Sequence, residues 1–463
     1  MGLALVLGGA ALWLAVDMAQ VSMALDGVIY SAIAQLFAQG QGSFWHLPHF
    51  EAGVGGFFDH PPLGLWLLSF WAQWLGSDFW VERSFLLMLM LGFCSAVGVL
   101  WSAATSSPSE MRPAKTADVH HRYIWWVMLL LLSMPVVRFT LVNNPLESLL
   151  AVFSLWAVVF AWWGMQRPWL NLITGVLCCA AVLTKGPVGL FALAAPCIFA
   201  WQILGNLTKA MRHTLLAAVP GMLLAAGLFA FEPARLALLA YLDTQLIGTF
   251  SGLRVPENGR LYLLEQFAGN LGVAVVVMLL VSRGRLEVQL PKVSKAYLLL
   301  GLCAFIPLLV SPRQYKHYLL SCLPYFALFL ALLARPVWPA VWPRMKVRWM
   351  TASIVLVLLL TGLRVGVSFG KNGKDDVELS DTAAIAAVMA LQPQIELAFC
   401  EATLRRRAYF TRYTQVQTYH VPLDELSSLG LGALYVCREP PGSGFVSLRL
   451  LNEGLQVWQR TSI

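Results

Sequence analysis

The chain has 463 residues, of which 58% are apolar and only 12% charged, with a formal net charge of +8. With a mean hydropathy of +0.68, this composition excludes a water-soluble domain and points to a polytopic membrane protein. The positive balance is mostly the basic bias of the loops on one side. Apart from Arg405–Arg407, no Lys/Arg-rich run with interleaved aromatics lies in a soluble module, so nucleic acid is not an expected partner. That triplet reads as one face of a solvated helix.

Crossing about 30 Å of hydrocarbon takes roughly 20 apolar residues in a helix, because backbone polar groups must be satisfied internally there. Eleven stretches qualify: 1–24, 83–103, 122–137, 146–164, 169–184, 187–204, 213–231, 261–281, 296–310, 318–334 and 349–368. Alternate loops hold fourteen Lys and Arg residues against eight, and the basic set is expected in the cytoplasm. Loop 25–82, loop 232–260, the 311–317 turn and the segment after 369 then face outward. No Lys or Arg precedes the first span, so a cleaved signal peptide is not expected. Asp17 lies inside that first apolar run, where an acid is a functional suspect or marks the outer surface.

The outer loop 25–82 is long and polar, with Gly, His and two acids in its central stretch. An interfacial helix is expected at 27–38, starting just after Asp26, where the helix dipole favours an ionised carboxylate; an ordinary N-cap is the alternative. His46, His49, Glu51, Asp59 and His60 form the one cluster with metal-ligand chemistry. His46 and His49 could place two imidazoles on one divalent ion, although Pro48 opposes a regular helical presentation. No cofactor is required by the sequence. Between Pro62 and Gly76, LGLWLLSFWAQWL is apolar and Trp-rich but too short to span, so it should lie in the interface.

Residues 370–463 change character, with charges throughout and short apolar runs. DTAAIAAVMALQ reads as a helix, IELAFC as a strand, TLRRRAYFTRY as a helix and ALYVC as a strand, which makes a small α/β domain. The expected division is therefore a transmembrane domain over 1–369, with its outer loop, and a soluble domain over 370–463. Of eight cysteines, six lie in apolar spans and pack as small hydrophobes. Cys400 and Cys437 either pair, if the tail is extracytoplasmic, or are simply buried in strands.

An ordered set of motifs crosses the membrane region. Asp26-Gly27-x-x-Tyr30 leads to Phe57-Phe58-Asp59-His60-Pro61-Pro62-Leu63. Arg138 with Asn143-Asn144-Pro145-Leu146-Glu147 follows, then Leu183-Thr184-Lys185-Gly186-Pro187, then Ser311 to Pro324 (SPRQYKHYLLSCLP). This set resembles the GT-C membrane glycosyltransferases, the superfamily of the protein O-mannosyltransferases and of the ArnT-like aminoarabinose transferases that modify lipid A. Gly27 stands where that family has Glu, His60 where it has Lys, and Asn143 or Asn144 where it has Asp.

The resemblance implies an all-α polytopic fold with about 11 transmembrane helices, and an active site on the extracytoplasmic side of the cytoplasmic (inner) membrane. It also implies an inverting transfer from a polyprenyl-phosphate (undecaprenyl phosphate) sugar to an acceptor on lipid A, an envelope glycan or a protein hydroxyl. Asp26 is then the expected base, and Asp59 would orient an acceptor. Lys185, Arg138, Arg254, Arg313 and Lys316 are the candidates to neutralise the leaving phosphate, with snorkelling to the interface the alternative for each. Tyr30, His60 and Tyr318 are expected to contact substrate. Two other classes compete: a transporter, which should place its polar groups at mid-membrane on broken helices, and a degenerate binding relative.

Overall fold

The computed structural model describes residues 2–105, 124–248, 258–282, 286–336, 347–391, 396–400, 404–422, 425–426 and 429–461. They divide into two compact, discontinuous units.

The first unit comprises residues 1–18, 59–64 and 86–368 and is helical. Among the described residues, seven helices are long and apolar enough to cross a membrane, and eight if one bent pair is a single span. The other expected spans contain the helix Gly2–Ala19 and the shorter helices Leu170–Lys185 and Leu323–Leu333. The expected continuous span at 122–137 is instead two helices, Ile124–Ser133 and Pro135–Asn143, bent by 81°. Proline explains the bend: it removes a backbone donor and clashes with the preceding turn, so Pro135 starts a new helix at its first turn. Pro145 does the same for the helix Pro145–Gly164. The expected span at 318–334 begins with a 3-10 turn, Lys316–Ser321.

Large side chains fill the centre of this unit. Phe93, Trp101, Trp126, Phe199, Tyr297 and Tyr325 are all buried in one cluster. The helices Leu207–Ala230 and Tyr262–Ser282 leave Leu215, Leu223 and Leu280 exposed, as helices whose outer faces meet acyl chains do. A short antiparallel pair, β1 (Leu286–Val288) and β2 (Ala334–Pro336), completes the unit.

The second unit comprises residues 19–58, 65–85 and 369–463. Its sheet has the order β4-β3-β5-β7-β6, with β3 at Leu397–Phe399, β4 at Tyr419–His420, β5 at Leu434–Cys437, β6 at Phe445–Leu450 and β7 at Gln456–Arg460. β3 runs parallel to β4 and β5, while β7 is antiparallel to β5 and β6. Parallel neighbours need crossover connections; the helix Leu404–Thr414 lies between β3 and β4 in the chain. The expected helix–strand–helix–strand order is present.

Cys400 follows β3 and Cys437 ends the adjacent β5, with Cα atoms 5.4 Å apart, and the two form a disulfide. Both are also buried, so the two alternatives coincide.

Arg405–Arg407 is not a solvated face. Arg406 is 3% exposed and pairs with Asp381 and Glu453, Arg405 pairs with Asp375, and Arg407 with Glu51. Charge patterning alone hid this, because the acids that bury the triplet lie 25 to 356 residues away in sequence. Arg412 on the same helix is buried on Glu82, with a second bond of 2.7 Å to Oε2, and donates to the carbonyls of Ser77 and Asp78 at 2.8 and 3.1 Å. Burial works against the Arg412 charge, but the Glu82 carboxylate more than offsets it and raises its pKa.

Removing one partner of a buried pair leaves the other charge uncompensated, at a cost of about 3–5 kcal/mol. Arg412→Ala should therefore lower the thermal midpoint of the purified protein clearly, and Arg412→Lys by less. Equal midpoints for wild type and Arg412→Ala would show that the pair contributes nothing.

Candidate functional site

Helix ends converge in the first unit around a cavity of about 270 Å³. Glu147 enters from the first turn of Pro145–Gly164, and Lys185 ends the helix Leu170–Lys185. That helix stops because Gly186 takes φ +83°, a left-handed conformation open to glycine, and Pro187 follows. A β-carbon at Gly186 would also collide with the Tyr241 hydroxyl. Asp59 and His60 come from the segment before Pro61-Pro62, while Arg313, His317 and Tyr318 come from the turn after the helix Lys292–Val310.

At the centre, the Lys185 ammonium bonds to Glu147 Oε1. His317 Nε2 lies 3.2 Å from the same oxygen, and the Tyr318 ring centroid is 5.4 Å from Lys185 Nζ. Lys185 and Glu147 are 8% and 2% exposed, so each depends on the other for its charge. Glu147 Oε2 is buried without a hydrogen-bond partner among the described residues. A buried carboxylate oxygen in that state has unused capacity to accept a proton donor or a cation.

Around this pair, Arg313 donates to the Tyr315 hydroxyl at 2.9 Å. Burial works against the guanidinium charge, but the Tyr315 hydroxyl and Asp59 more than compensate, so Arg313 is held cationic with a raised pKa. Tyr315 stacks on His317 at 5.4 Å between centroids, 7° from coplanar. His60 is pulled down from 6.5 to about 3, first by burial and then by the Lys185 ammonium, against the upward pull of Glu147 and Asp59. It is therefore a neutral imidazole at physiological pH, able to donate from one nitrogen and accept at the other.

Of the residues expected from sequence, Asp59, His60, Lys185, Arg313 and Tyr318 are thus brought to one cavity. Lys316 holds its ammonium 4.0 Å over the Phe139 ring, and Arg138 interacts electrostatically with Asp17; neither lines the cavity. Arg254 lies outside the described residues. Asp26 and Tyr30 belong to the helix Leu25–Ala38 of the second unit. Its N-cap is Ala24, with Asp26 in the first turn, so the capping role is not Asp26's. His46 packs edge-on to Phe58, and His49 stacks on Phe50 while its Nδ1 accepts from the Glu51 N–H. These two imidazoles do not join any third ligand-bearing side chain in a metal-binding group among the described residues.

Two residues were missed as site candidates, Glu147 and His317. Glu147 carries a readable signal, being the one charge in a twenty-residue apolar helix, a position that is functional by default. His317 carries none beyond its place between Lys316 and Tyr318.

The whole chain superposes on the crystal structure of ArnT from Cupriavidus metallidurans bound to undecaprenyl phosphate. The TM-score is 0.66 at 15% identity, covering 99% of this chain and 98% of that one. The fold is that of ArnT. The apo form of the same protein gives a TM-score of 0.64 at 14% identity, with 99% and 97% of the two chains covered. No protein-family model and no curated protein matches the sequence, so the likeness is one of fold.

Two outcomes follow. Glu147→Leu and Lys185→Met should each destabilise the detergent-solubilised protein by about 3–5 kcal/mol, while the double variant loses much less than the sum. Additive losses in a double-mutant cycle would mean that the pair is not coupled. For His60, the unfolded chain binds a proton near pH 6.5 and the folded chain only near 3, so stability falls as pH is lowered through that window. The drop in thermal midpoint from pH 7 to pH 5 should be smaller in His60→Gln than in wild type; identical drops would contradict the neutral imidazole.

Proposed function

We propose that this protein is an inverting glycosyltransferase that moves a sugar from a polyprenyl-phosphate-linked donor to an acceptor hydroxyl at the outer face of the cytoplasmic membrane. The observation that carries the reading is the cavity holding Lys185 and Arg313, two cations in a low-dielectric surround, within a fold whose relative in Cupriavidus metallidurans binds undecaprenyl phosphate. A donor of this type leaves as a phosphate, which needs no proton but does need its charge neutralised.

In the reaction, the acceptor oxygen bonds to the anomeric carbon as the carbon–phosphate oxygen bond breaks. The electron pair departs on the phosphate, and the acceptor's proton passes to a carboxylate. Asp26 is the proposed base, a task worth typically 10²- to 10⁴-fold, and Asp59 the carboxylate that orients the acceptor. Lys185 and Arg313 receive the phosphate, and Arg138, Arg254 and Lys316 are further candidate cations for the donor. Neutral His60, Tyr318 and Tyr30 are proposed to hydrogen-bond the sugar or acceptor. The acceptor is an envelope lipid, glycan or protein hydroxyl. A divalent metal is compatible with the donor set, since Glu147 and His317 bring a carboxylate and an imidazole within 3.2 Å; an ion there would add positive charge beside the leaving phosphate.

The outward placement is supported by the basic-loop bias and by the Cys400–Cys437 disulfide, which belongs to an oxidising compartment. Single cysteines placed at 59 and 316 should react with an impermeant reagent from the extracytoplasmic side; labelling only from the cytoplasm would reverse the topology. Membranes containing the wild-type protein should transfer labelled sugar from polyprenyl-phosphate donors, and membranes containing Asp26→Asn should lose at least 10²-fold. Transfer by Asp26→Asn at the wild-type rate would remove Asp26 from the chemistry.

A further inference from the structure

The second unit ties down the short segment that leads into the Asp26 helix with an unusual set of long-range bonds. The Met23 N–H donates to the Tyr409 hydroxyl at 3.0 Å, and the same hydroxyl donates to Asp375 Oδ2 at 2.6 Å. Arg405 donates from Nη1 to the Met23 carbonyl at 3.1 Å and to both Asp375 oxygens at 2.9 Å. Both backbone groups of Met23 are therefore held by one helix of the α/β domain, about 380 residues further along the chain.

Neighbouring residues are fixed as well. The Gly370 N–H donates to the Ala19 carbonyl and the Val21 N–H to the Lys371 carbonyl, each at 2.9 Å. Arg83 donates to the carbonyls of Gln20 and Ser22. Gly373, at φ +73°, lies so close that a β-carbon there would strike Gln20 and Ser22. The helix Leu404–Thr414, which carries Arg405 and Tyr409, packs directly on Leu25–Ala38. Asp375 and Tyr409 are 5% and 1% exposed, so these bonds are shielded from competing water and geometrically strict.

We propose that Tyr409 and Arg405, braced by Asp375, are positioning residues for Asp26: the α/β domain fixes the start of the Leu25–Ala38 helix and with it the direction of the Asp26 carboxylate. This rests on the reading of Asp26 as the base. It assigns the C-terminal domain a part in the chemistry although no residue of the domain need touch substrate. Misplacing a reacting group by about 1 Å can cost on the order of 10²-fold, so the loss of two hydrogen bonds at the entry to this helix should appear in turnover.

The test uses the full-length protein and Tyr409→Phe, which keeps the ring and deletes only the hydroxyl. Hydrogen–deuterium exchange should accelerate at the amides of residues 23–29 and stay unchanged in β3, β5 and β7. Transfer should fall roughly 10- to 100-fold in kcat, with KM for the polyprenyl-phosphate donor within about twofold. Should Tyr409→Phe fail to fold, Arg405→Lys, which retains the charge and one donor, should show the same pattern at smaller size.

Unchanged exchange at 23–29 overturns the proposal. So does faster exchange there with wild-type kcat, in a protein that Asp26→Asn inactivates. Wild-type transfer by Asp26→Asn itself would instead fail the reading of Asp26 as the base. The exchange data would then still decide whether Tyr409 holds the helix start.

Discussion

A lysine and a glutamate buried against each other govern the arrangement of the membrane unit. In a low-dielectric surround an isolated ammonium or carboxylate costs several kcal/mol, and the cost is met only by close pairing with further polar support. Lys185 and Glu147 meet that condition because two helices end where they do. Pro145 starts one helix so that Glu147 falls in its first turn, and Gly186-Pro187 stops the other just after Lys185. His317 and the Tyr318 ring complete the surround. In the proposed function, an anion entering the cavity competes with Glu147 for Lys185 and finds in Arg313 a second cation, held charged by the Tyr315 hydroxyl and Asp59.

Hydropathy made the membrane region legible, since each expected span contains a helix. It could not show the break near residue 134, because Ser133-Met134-Pro135 keeps the run apolar and only the proline marks the turn. Five of the expected site residues meet in one cavity because their motifs lie at helix ends, where polar side chains are tolerated. Glu147 could have been read from its isolation in an apolar helix. His317 could not, because its role depends on a carboxylate 170 residues earlier in the chain.

The second unit was less legible for the same reason. Alternating helix and strand patterns gave the α/β order, but the partners of Arg405, Arg406, Arg407 and Arg412 are set by tertiary structure, and three adjacent arginines look like solvent-exposed charge. In the folded chain they join Glu51 and Glu82 to the helix Leu404–Thr414. The disulfide between Cys400 and Cys437 holds β3 to β5. These ion pairs tie the outer-loop residues 19–58 and 65–85 to the C-terminal helix.

The Lys185–Arg313 cavity is proposed to receive a polyprenyl phosphate. Native mass spectrometry of the detergent-purified protein with undecaprenyl phosphate measures this directly. One lipid phosphate should bind the wild-type protein, at least tenfold more weakly in Lys185→Ala and in Arg313→Ala, and a non-phosphorylated polyprenol should fail to compete. Equal binding by wild type and both variants, or displacement by the polyprenol alone, would contradict that proposal.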